Sequence, residues 1–392
     1  MTDSPPGRLA VVLSHPVQYY SPWFRWLAAQ APVALKVFYL WDFGVAARRD
    51  RQFAMSFRWD VDLLEGYEHE FVPNLARDPG THHFRGLDNP ALPDRLRAWR
   101  PDAVLLFGYA YRSHLGVILR PPAPLIFRGD SHLLGHAPSW TKRFLLRQLY
   151  ARFAAVTYVG QANRDYFRAF GVPDARLHFA PHSVDSTRFT RDAAVAAAAS
   201  RLRDELRLGG RKVILFAGKL LADKQPGALL EAFLDLNPRD FALVFVGDGA
   251  ERVALETRAA QLPDRPVRFL PFANQSGMPA RYALADLFVL PSIGLYETWG
   301  LAVNEAMHLG VPCLVSDRVG CQRDLVIEGD TGWVFAATEP AALRAALARA
   351  LAALRGDTAS LRARLRTRLE GYTYAVATLG LLAAFAQARA RR

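Results

Sequence analysis

Short apolar runs of strand length alternate with longer amphipathic segments along the whole chain. In the first half these runs lie at residues 9–14, 33–40, 103–107, 125–127 and 154–159. Strands that alternate with helices predict a parallel sheet covered by helices. Ligands of such sheets bind beyond the carboxyl ends of the strands, so the loops after the strands are the places to search for function.

The pattern restarts after an Ala-rich stretch, with further apolar runs at 213–217, 242–246, 267–270, 287–290 and 313–316. We therefore expect a second α/β sheet, because 392 residues suit two domains with a cleft between them. Turn-forming residues at 181–185 separate the two patterns. The expected units are an N-terminal domain at 1–185, a C-terminal domain at 186–372, and a last helix at 373–392 that returns to the N-terminal domain.

Composition excludes several classes of protein. No apolar run reaches the roughly 18 residues that a membrane-spanning helix needs, and the first eight residues lack the cationic start of a secretion signal. We therefore expect a protein that stays inside the cell. Cys313 and Cys321 are too few for a disulfide framework and lack the spacing of a zinc site.

The formal net charge is +12, but it is spread evenly along the chain. Residues up to Asp185 include 22 basic and 16 acidic side chains, and the later residues include 27 and 21. A nucleic-acid-binding protein would concentrate this charge in a stripe, so that class is disfavoured. A compositional bias towards arginine explains the excess equally well. One cluster differs, because three of the five lysines lie at 212–224.

A glycine and two of these lysines, Gly218, Lys219 and Lys224, follow the apolar run at 213–217. Such an arrangement suits a phosphate, because a charge-assisted hydrogen bond contributes on the order of 1.5–3 kcal/mol. The segment is not a P-loop, since Gly-x4-Gly-Lys-Ser/Thr is missing. The alternative is a pair of solvated lysines without a ligand.

The segment at 291–307 follows another apolar run and carries Glu297 and Glu305, eight positions apart. A helix is expected from about Thr298 to near Gly310, so its first amides would face an anion. Those amides are expected to be the ones of Trp299, Gly300 and Leu301. Glu297 would then lie beside the hydroxyls of a transferred sugar, and Glu305 beside a ribose diol. The alternative is a capped helix with two solvated glutamates.

Together these motifs resemble the retaining glycosyltransferases of family 4. The likeness includes Gly247-Asp248-Gly249, Glu305-Ala306-Met307 and the stretch 313–334, and it covers most of the C-terminal half. It implies the GT-B fold, in which two Rossmann-like, doubly wound α/β domains face each other across a cleft. The family more often has arginine where Lys219 stands, which keeps the charge but loses the planar fork.

The resemblance also implies a set of site residues. The C-terminal domain would hold the nucleotide, without a metal ion and without any cofactor besides the nucleoside-diphosphate sugar. The donor diphosphate would lie against Gly218, Lys219, Lys224, Trp299, Gly300 and Leu301. The nucleoside would lie against Gly247, Asp248, Phe272 and Glu305.

The N-terminal half matches the family less securely. The turn at 14–22 lacks a glycine-rich loop and resembles a bacterial subgroup with a His-Pro-x-Gln-Tyr turn, so His15 and Gln18 are expected on the acceptor side or at the donor phosphate. A purely structural turn is the alternative. The family often places a cleft histidine after a later strand, where Asp130 and His132 are both candidates for a catalytic contact with the sugar. Either residue could instead cap a turn.

The implied reaction moves a sugar from a nucleoside-diphosphate sugar to a hydroxyl acceptor, with retention, in the synthesis of a cell-surface polysaccharide or lipopolysaccharide. Lys219, Lys224 and the helix amides would stabilise the departing diphosphate. Glu297 would position the sugar rather than form a covalent intermediate. The alternatives are a nucleotide-sugar epimerase of the same fold and a non-catalytic nucleotide-sugar-binding protein.

The segment at 140–153 is typical of a basic amphipathic helix, a shape that can lie on anionic lipid. Lipid binding would make the protein peripheral on the inner face of the cytoplasmic membrane, in contact with a lipid-linked or glycan acceptor. The alternative is a helix that only covers the sheet, with its arginines solvated.

Overall fold

The protein consists of two parallel sheets covered by helices, as the sequence pattern predicts. The computed structural model describes residues 6–46, 48–50, 55–262, 264–294, 297–356 and 358–391, with only the backbone described at 48–50 and 55–57. The expectation of a two-domain α/β protein is confirmed.

The N-terminal sheet has seven parallel strands in the order β5-β2-β1-β6-β7-β8-β9. Its strands are β1 (Gly7–Leu13), β2 (Val33–Tyr39), β5 (Glu68–Phe71), β6 (Ala103–Phe107), β7 (Leu125–Arg128), β8 (Ala155–Tyr158) and β9 (Leu177–Phe179). Two short strands, β3 (Arg48–Asp50) and β4 (Met55–Phe57), pair antiparallel to each other. The helices are α1 (Ser21–Gln30), α2 (Leu92–Trp99), α3 (Arg112–Leu119), α4 (Trp140–Tyr150) and α5 (Gln161–Ala169).

The C-terminal sheet has six parallel strands in the order β12-β11-β10-β13-β14-β15. Its strands are β10 (Lys212–Ala217), β11 (Phe241–Val246), β12 (Val267–Leu270), β13 (Leu287–Leu290), β14 (Cys313–Ser316) and β15 (Gly332–Phe335). The helices are α6 (Ala193–Glu205), α7 (Pro226–Leu236), α8 (Arg252–Ala260), α9 (Met278–Leu284), α10 (Leu301–His308), α11 (Gln322–Leu325), α12 (Ala342–Leu354) and α13 (Ala359–Leu369).

Continuous apolar sequence forms the central strands because helices cover both faces of each sheet. All six residues of β11 are buried, and six of the seven residues of β1 are buried, with Arg8 as the exception. A strand buried on both faces needs no polar alternation. This is why the sequence predicts the central strands closely.

The last helix, α14 (Tyr374–Arg389), packs on the N-terminal sheet although it follows the C-terminal domain. Leu381 and Phe385 share a core with Leu9 and Val11 of β1. By length and composition the stretch 359–389 is apolar enough to cross a membrane. In the structure this stretch comprises two helices, and one face of α14, with Leu381 and Phe385, is buried in the core while Leu379 is exposed.

The strand order reverses between β1 and β6 in one sheet and between β10 and β13 in the other. A reversal of this kind opens a crevice at the carboxyl ends of the two strands concerned. The loops after β1, β7, β10 and β13 therefore meet between the domains, and the candidate site lies there.

Candidate functional site

A cavity of about 520 Å³ lies between the two domains. The N-terminal domain contributes four residues to its wall, and the rest of the wall belongs to the C-terminal domain. The N-terminal residues are Gln18, Tyr19, Trp59 and Asp130. The volume falls within the usual range for small-molecule sites.

The loop after β10 brings its glycine and both lysines to this wall, and Gly218, Lys219 and Lys224 all line the cavity. Lys224 ends a short 3-10 turn, and its Nζ forms an ion pair with Oε2 of Glu297 in the loop after β13. Both lysines are partly buried at the cavity wall, and their contact with a phosphate stays a prediction.

The loop after β11 can pass close to the β10 loop only because it begins with a glycine. Gly247 has φ of 137°, and a Cβ atom there would lie 2.0 Å from the carbonyl oxygen of Gly218. No side chain fits at that distance. Gly247 and Phe272 both line the cavity, so the loops after β11 and β12 both contribute to its wall.

Asp248 does not line the cavity, unlike the other residues predicted to hold the nucleoside. Its Oδ1 accepts from Nη1 of Arg252 at 2.9 Å, and its Oδ2 accepts from the backbone N–H of Phe272 at 2.8 Å. The carboxylate is thus used to join the loops after β11 and β12. A direct contact between Asp248 and a nucleoside does not fit this arrangement.

Helix α10 starts three residues later than the sequence predicts, at Leu301, because Gly300 adopts a left-handed conformation with φ of 94°. The cap is therefore Gly300 rather than Thr298. Trp299, Gly300 and Leu301 all line the cavity, and in the part of the chain that the structure describes their amides donate to no protein acceptor. Three adjacent N–H groups at a helix start form a ready anion site.

Glu305 lies two turns behind this helix start and is buried, so the alternative of a solvated glutamate is wrong. Its Oε2 accepts from the hydroxyl of Tyr282 at 2.8 Å. Tyr19 and Gln275 approach the same carboxylate, but within the described residues Oε1 has no well-aligned partner. Burial raises the pKa of Glu305 to about 7, even though Tyr282 and the other neighbours oppose the shift.

The two N-terminal candidates for a catalytic contact differ in position. Asp130 lines the cavity, where its Oδ2 accepts from the hydroxyl of Thr298 at 2.9 Å. His132 does not line it: its Nδ1 accepts from the N–H of Leu134 at 3.2 Å, so Nε2 carries the proton and donates to the carbonyl oxygen of Glu297 at 3.3 Å. His132 therefore fixes the Glu297 loop from behind, which corrects its assignment as a catalytic residue.

The two residues predicted on the acceptor side also occupy different positions. Gln18 lines the cavity, whereas His15 lies outside it, within hydrogen-bonding distance of Ser14 Oγ and beside the rings of Trp41 and Phe43. Burial lowers the pKa of His15 to about 4, so this imidazole is neutral at physiological pH. The structure thus supports a packing role for His15, not direct contact with a ligand in this cavity.

One group of potential metal ligands occurs among the described residues, and it lies away from the cavity. Asp78, His82 and His83 place three ligand atoms within 4.8 Å of one another on the surface of the N-terminal domain. The Asp78 carboxylate already pairs with His82 at 2.9 Å, which accounts for this geometry without an ion.

Comparisons with known proteins agree with this architecture. The sequence model of the family "Glycosyl transferases group 1" matches residues 200–368. A GDP-mannose-dependent alpha-(1-6)-phosphatidylinositol monomannoside mannosyltransferase of Mycobacterium tuberculosis is 30% identical over 277 residues, which cover 66% of this chain and 69% of that protein. The chain belongs to the group 1 glycosyl transferases.

A mannosyltransferase of the same description from Mycolicibacterium smegmatis is 32% identical to this group 1 glycosyl transferase over 230 residues. That match covers 56% of the chain and 59% of the relative, so it spans less than two thirds of the relative's length. The Anabaena protein HepE, solved with UDP and glucose, has a TM-score of 0.72 at 17% identity, with 97% of this chain and 99% of that chain covered. This likeness over both domains confirms the GT-B fold.

Gln275 and Tyr282 lie in no motif of the sequence, and Tyr19 belongs to the His-Pro-x-Gln-Tyr turn but is not among the predicted site residues. Tyr19, Gln275 and Tyr282 surround Glu305 from three separate segments of this group 1 glycosyl transferase. Tyr282 lies in the apolar helix α9, where an aromatic residue is typical of a core position. Only the tertiary fold brings these three side chains together.

Proposed function

We propose that this protein is a retaining glycosyltransferase that moves a sugar from a nucleoside-diphosphate sugar to a hydroxyl acceptor. One observation carries the proposal: two lysines, a set of helix-start amides and a buried glutamate line one cavity between the domains. These are the groups that a diphosphate and a ribose require, and all of them belong to the C-terminal domain.

The diphosphate would lie between the β10 loop and the start of α10. Lys219 and Lys224 supply positive charge on one side, and the amides of Trp299, Gly300 and Leu301 supply oriented N–H groups on the other. Negative charge grows on the diphosphate as the bond to the sugar breaks. Fixed donors at that position stabilise the transition state more than the ground state.

The nucleoside would extend from the diphosphate towards Glu305, past Gly247 and Phe272. Glu305 offers Oε1 to the ribose hydroxyls, because Tyr282 donates to Oε2 and Oε1 has no well-aligned partner among the described residues. Gly247 lines the cavity without a side chain, so a base or ribose can approach its backbone closely. This division assigns one end of the cavity to the nucleoside.

The transferred sugar would then lie near Glu297 and Asp130, beside the N-terminal wall. Glu297 is held by Lys224, so we assign it to sugar positioning and not to a covalent intermediate. The acceptor would enter past Gln18 and Trp59, on the N-terminal side. We propose that no metal ion and no cofactor besides the donor is needed, since the two lysines provide the cations.

The relatives suggest which donors to test first. The mycobacterial relatives are described as GDP-mannose-dependent, and HepE was solved with UDP and glucose. We therefore propose a GDP- or UDP-linked hexose as donor and a cell-surface glycan or its lipid-linked precursor as acceptor.

The experiment is a transfer assay with GDP-mannose and UDP-hexoses on a panel of glycan acceptors, followed by NMR of the product's anomeric centre. We expect an acceptor-dependent product with the donor's anomeric configuration. An inverted product would contradict the retaining mechanism. A changed sugar nucleotide formed without acceptor would indicate an epimerase, and tight donor binding without any reaction would indicate a binding protein.

We also propose that helix α4 contacts anionic lipid at the inner face of the cytoplasmic membrane. Trp140, Phe144 and Leu145 are large apolar side chains exposed on this helix. Lys142 and Arg143 lie between them, which combines apolar surface with positive charge. This surface would keep the enzyme close to a lipid-linked acceptor.

Vesicle co-sedimentation tests the membrane contact. The wild-type protein should bind vesicles that contain anionic lipid, and binding should weaken as salt increases. The double variant Trp140→Glu/Phe144→Glu should lose this binding, whereas Val253→Glu, at an exposed apolar position on α8, should keep it. Equal binding by both variants would remove the proposal for α4 and leave the transferase proposal intact.

A further inference from the structure

A histidine outside every sequence motif, His182, lies directly against the cavity carboxylate of Asp130. It belongs to the connection between the domains, just after β9, and only 3% of its side-chain surface is exposed. Its Nε2 lies 3.4 Å from Asp130 Oδ2, at the long end of a hydrogen bond and without ideal alignment. The ring packs between Tyr20 and Trp299, at centroid distances of 5.8 and 5.6 Å, so its orientation is fixed.

The same oxygen of Asp130 also accepts from the hydroxyl of Thr298 at 2.9 Å. Three separate parts of the protein therefore meet at this carboxylate: the loop after β7, the interdomain connection and the C-terminal domain. The other oxygen, Oδ1, accepts no hydrogen bond from another described residue. Because Asp130 lines the cavity and its side chain is 39% exposed, a substrate hydroxyl can reach Oδ1.

The charges around Asp130 favour an ionised carboxylate beside a neutral imidazole. Burial lowers the pKa of His182, and the guanidinium of Arg128 adds to that shift. Burial opposes ionisation of Asp130, but His182 and Thr298 hold the pKa of its carboxyl below the ordinary value. Two further titratable groups lie close by: the phenol of Tyr20, which is neutral because burial raises its pKa, and the imidazole of His132, whose pKa is lowered by burial.

The tautomer follows from hydrogen-bond chemistry. An ionised carboxylate only accepts hydrogen bonds, so the Nε2 atom that faces Asp130 must carry the proton of the neutral imidazole. The donor is then an uncharged group, so it does not neutralise the negative charge of Asp130. A buried neutral donor of this kind fixes the direction of a carboxylate without cancelling its charge.

We propose that His182 is a positioning residue for sugar transfer. It holds Asp130 ionised and directed into the cavity, where Oδ1 accepts a hydrogen bond from a hydroxyl of the bound sugar or acceptor. This inference rests on the proposed transferase function. Because Thr298 belongs to the C-terminal domain, Asp130 is fully held only when the two domains are together.

The first test compares His182→Leu, which removes the donor, with His182→Gln, whose side-chain N–H can still reach Asp130. We expect His182→Leu to lower kcat about 10- to 100-fold. Without this hydrogen-bond donor the pKa of Asp130 rises. On acidification the variant should therefore lose activity at a higher pH than the wild type does. The KM for the donor should stay within about twofold. His182→Gln should restore most of kcat and the wild-type acid limb.

His114→Leu is the matched control, because His114 is equally buried in the N-terminal domain but lies outside the cavity wall. It should leave the pH profile unchanged. An acid limb that is identical in wild type and His182→Leu would overturn the proposal. A His182→Gln protein that folds but is as impaired as His182→Leu would overturn it as well.

A second measurement does not depend on activity and so separates this inference from the proposed function. Long-range proton–nitrogen NMR of 15N-histidine-labelled protein should show His182 neutral at pH 7 with its proton on Nε2. The signals should move in Asp130→Asn and stay in place in Asp94→Asn, an exposed aspartate on α2. A proton on Nδ1, or a charged ring, would contradict the inference. A wild type without any transfer, but with the expected spectrum, would instead refute the transferase function.

Discussion

Replacement of Lys224 by alanine tests the proposed diphosphate site most sharply among single changes. The side chain lines the cavity, and its Nζ forms an ion pair with Glu297. In the proposal it turns towards the donor phosphate when the donor binds. The variant removes one cation and leaves the helix-start amides and Lys219 in place.

The magnitude follows from the local environment. A hydrogen bond between charged groups contributes about 1.5–3 kcal/mol, and each 1.4 kcal/mol changes a dissociation constant tenfold. The dissociation constant for the nucleoside diphosphate should therefore rise about 10- to 150-fold. Only 22% of the Lys224 side chain and 13% of the Glu297 side chain are exposed, so solvent screens this loss weakly. The bare Glu297 carboxylate would also repel the diphosphate.

Isothermal titration with the preferred nucleoside diphosphate measures the effect. The double variant Lys224→Ala/Glu297→Gln should regain part of the affinity, because it removes the repulsion that the single variant leaves. Lys36→Ala is the control, since Lys36 pairs with Glu68 and Glu70 on the N-terminal sheet. A dissociation constant within twofold of the wild-type value for Lys224→Ala would refute the assignment of this lysine.

Two further changes test the other end of the cavity. Gly247→Ala places a Cβ 2.0 Å from the Gly218 oxygen, so the two loops must separate and nucleotide affinity should fall roughly tenfold or more. Gly210→Ala is the control, because a Cβ at Gly210 has no atom within 4 Å and should leave the affinity unchanged. Equal affinities of the two variants in titration would contradict this prediction. Burial holds the pKa of Glu305 at about 7, above its ordinary 4.5, so ionisation destabilises the folded state as pH rises through this interval. Glu305→Gln should therefore exceed the wild type in stability by roughly 1–3 kcal/mol at about pH 8 and little at about pH 5, and an equal difference in urea unfolding at both pH values would contradict the pKa shift.

The sequence predicts the central strands well because they are buried on both faces and therefore continuously apolar. It misses β5, whose sequence Glu-His-Glu-Phe lies at the edge of the sheet and is only partly buried. It also misses β9, a three-residue edge strand with intermediate burial throughout. A short or polar edge strand has no periodic signal, since its pairing depends on the neighbouring strand.

The cavity wall could be predicted where a residue type is tied to a local turn, as at Gly218, Lys224 and Gly300. Predictions failed where a long-range contact decides the role. The Asp248 carboxylate accepts hydrogen bonds from Arg252 and from the Phe272 amide. The His132 ring donates a hydrogen bond to the backbone carbonyl of Glu297. His182 reaches Asp130 across 52 positions, a distance that no spacing pattern encodes.

The most direct test of the central claim is a crystal structure with the nucleoside diphosphate that stabilises the protein most in a thermal-shift screen. The account predicts the diphosphate between Lys224 and the amides of Trp299, Gly300 and Leu301, with the ribose hydroxyls on Glu305. A diphosphate bound elsewhere, or bound in this cavity in the opposite direction with the base against Asp130, would contradict it.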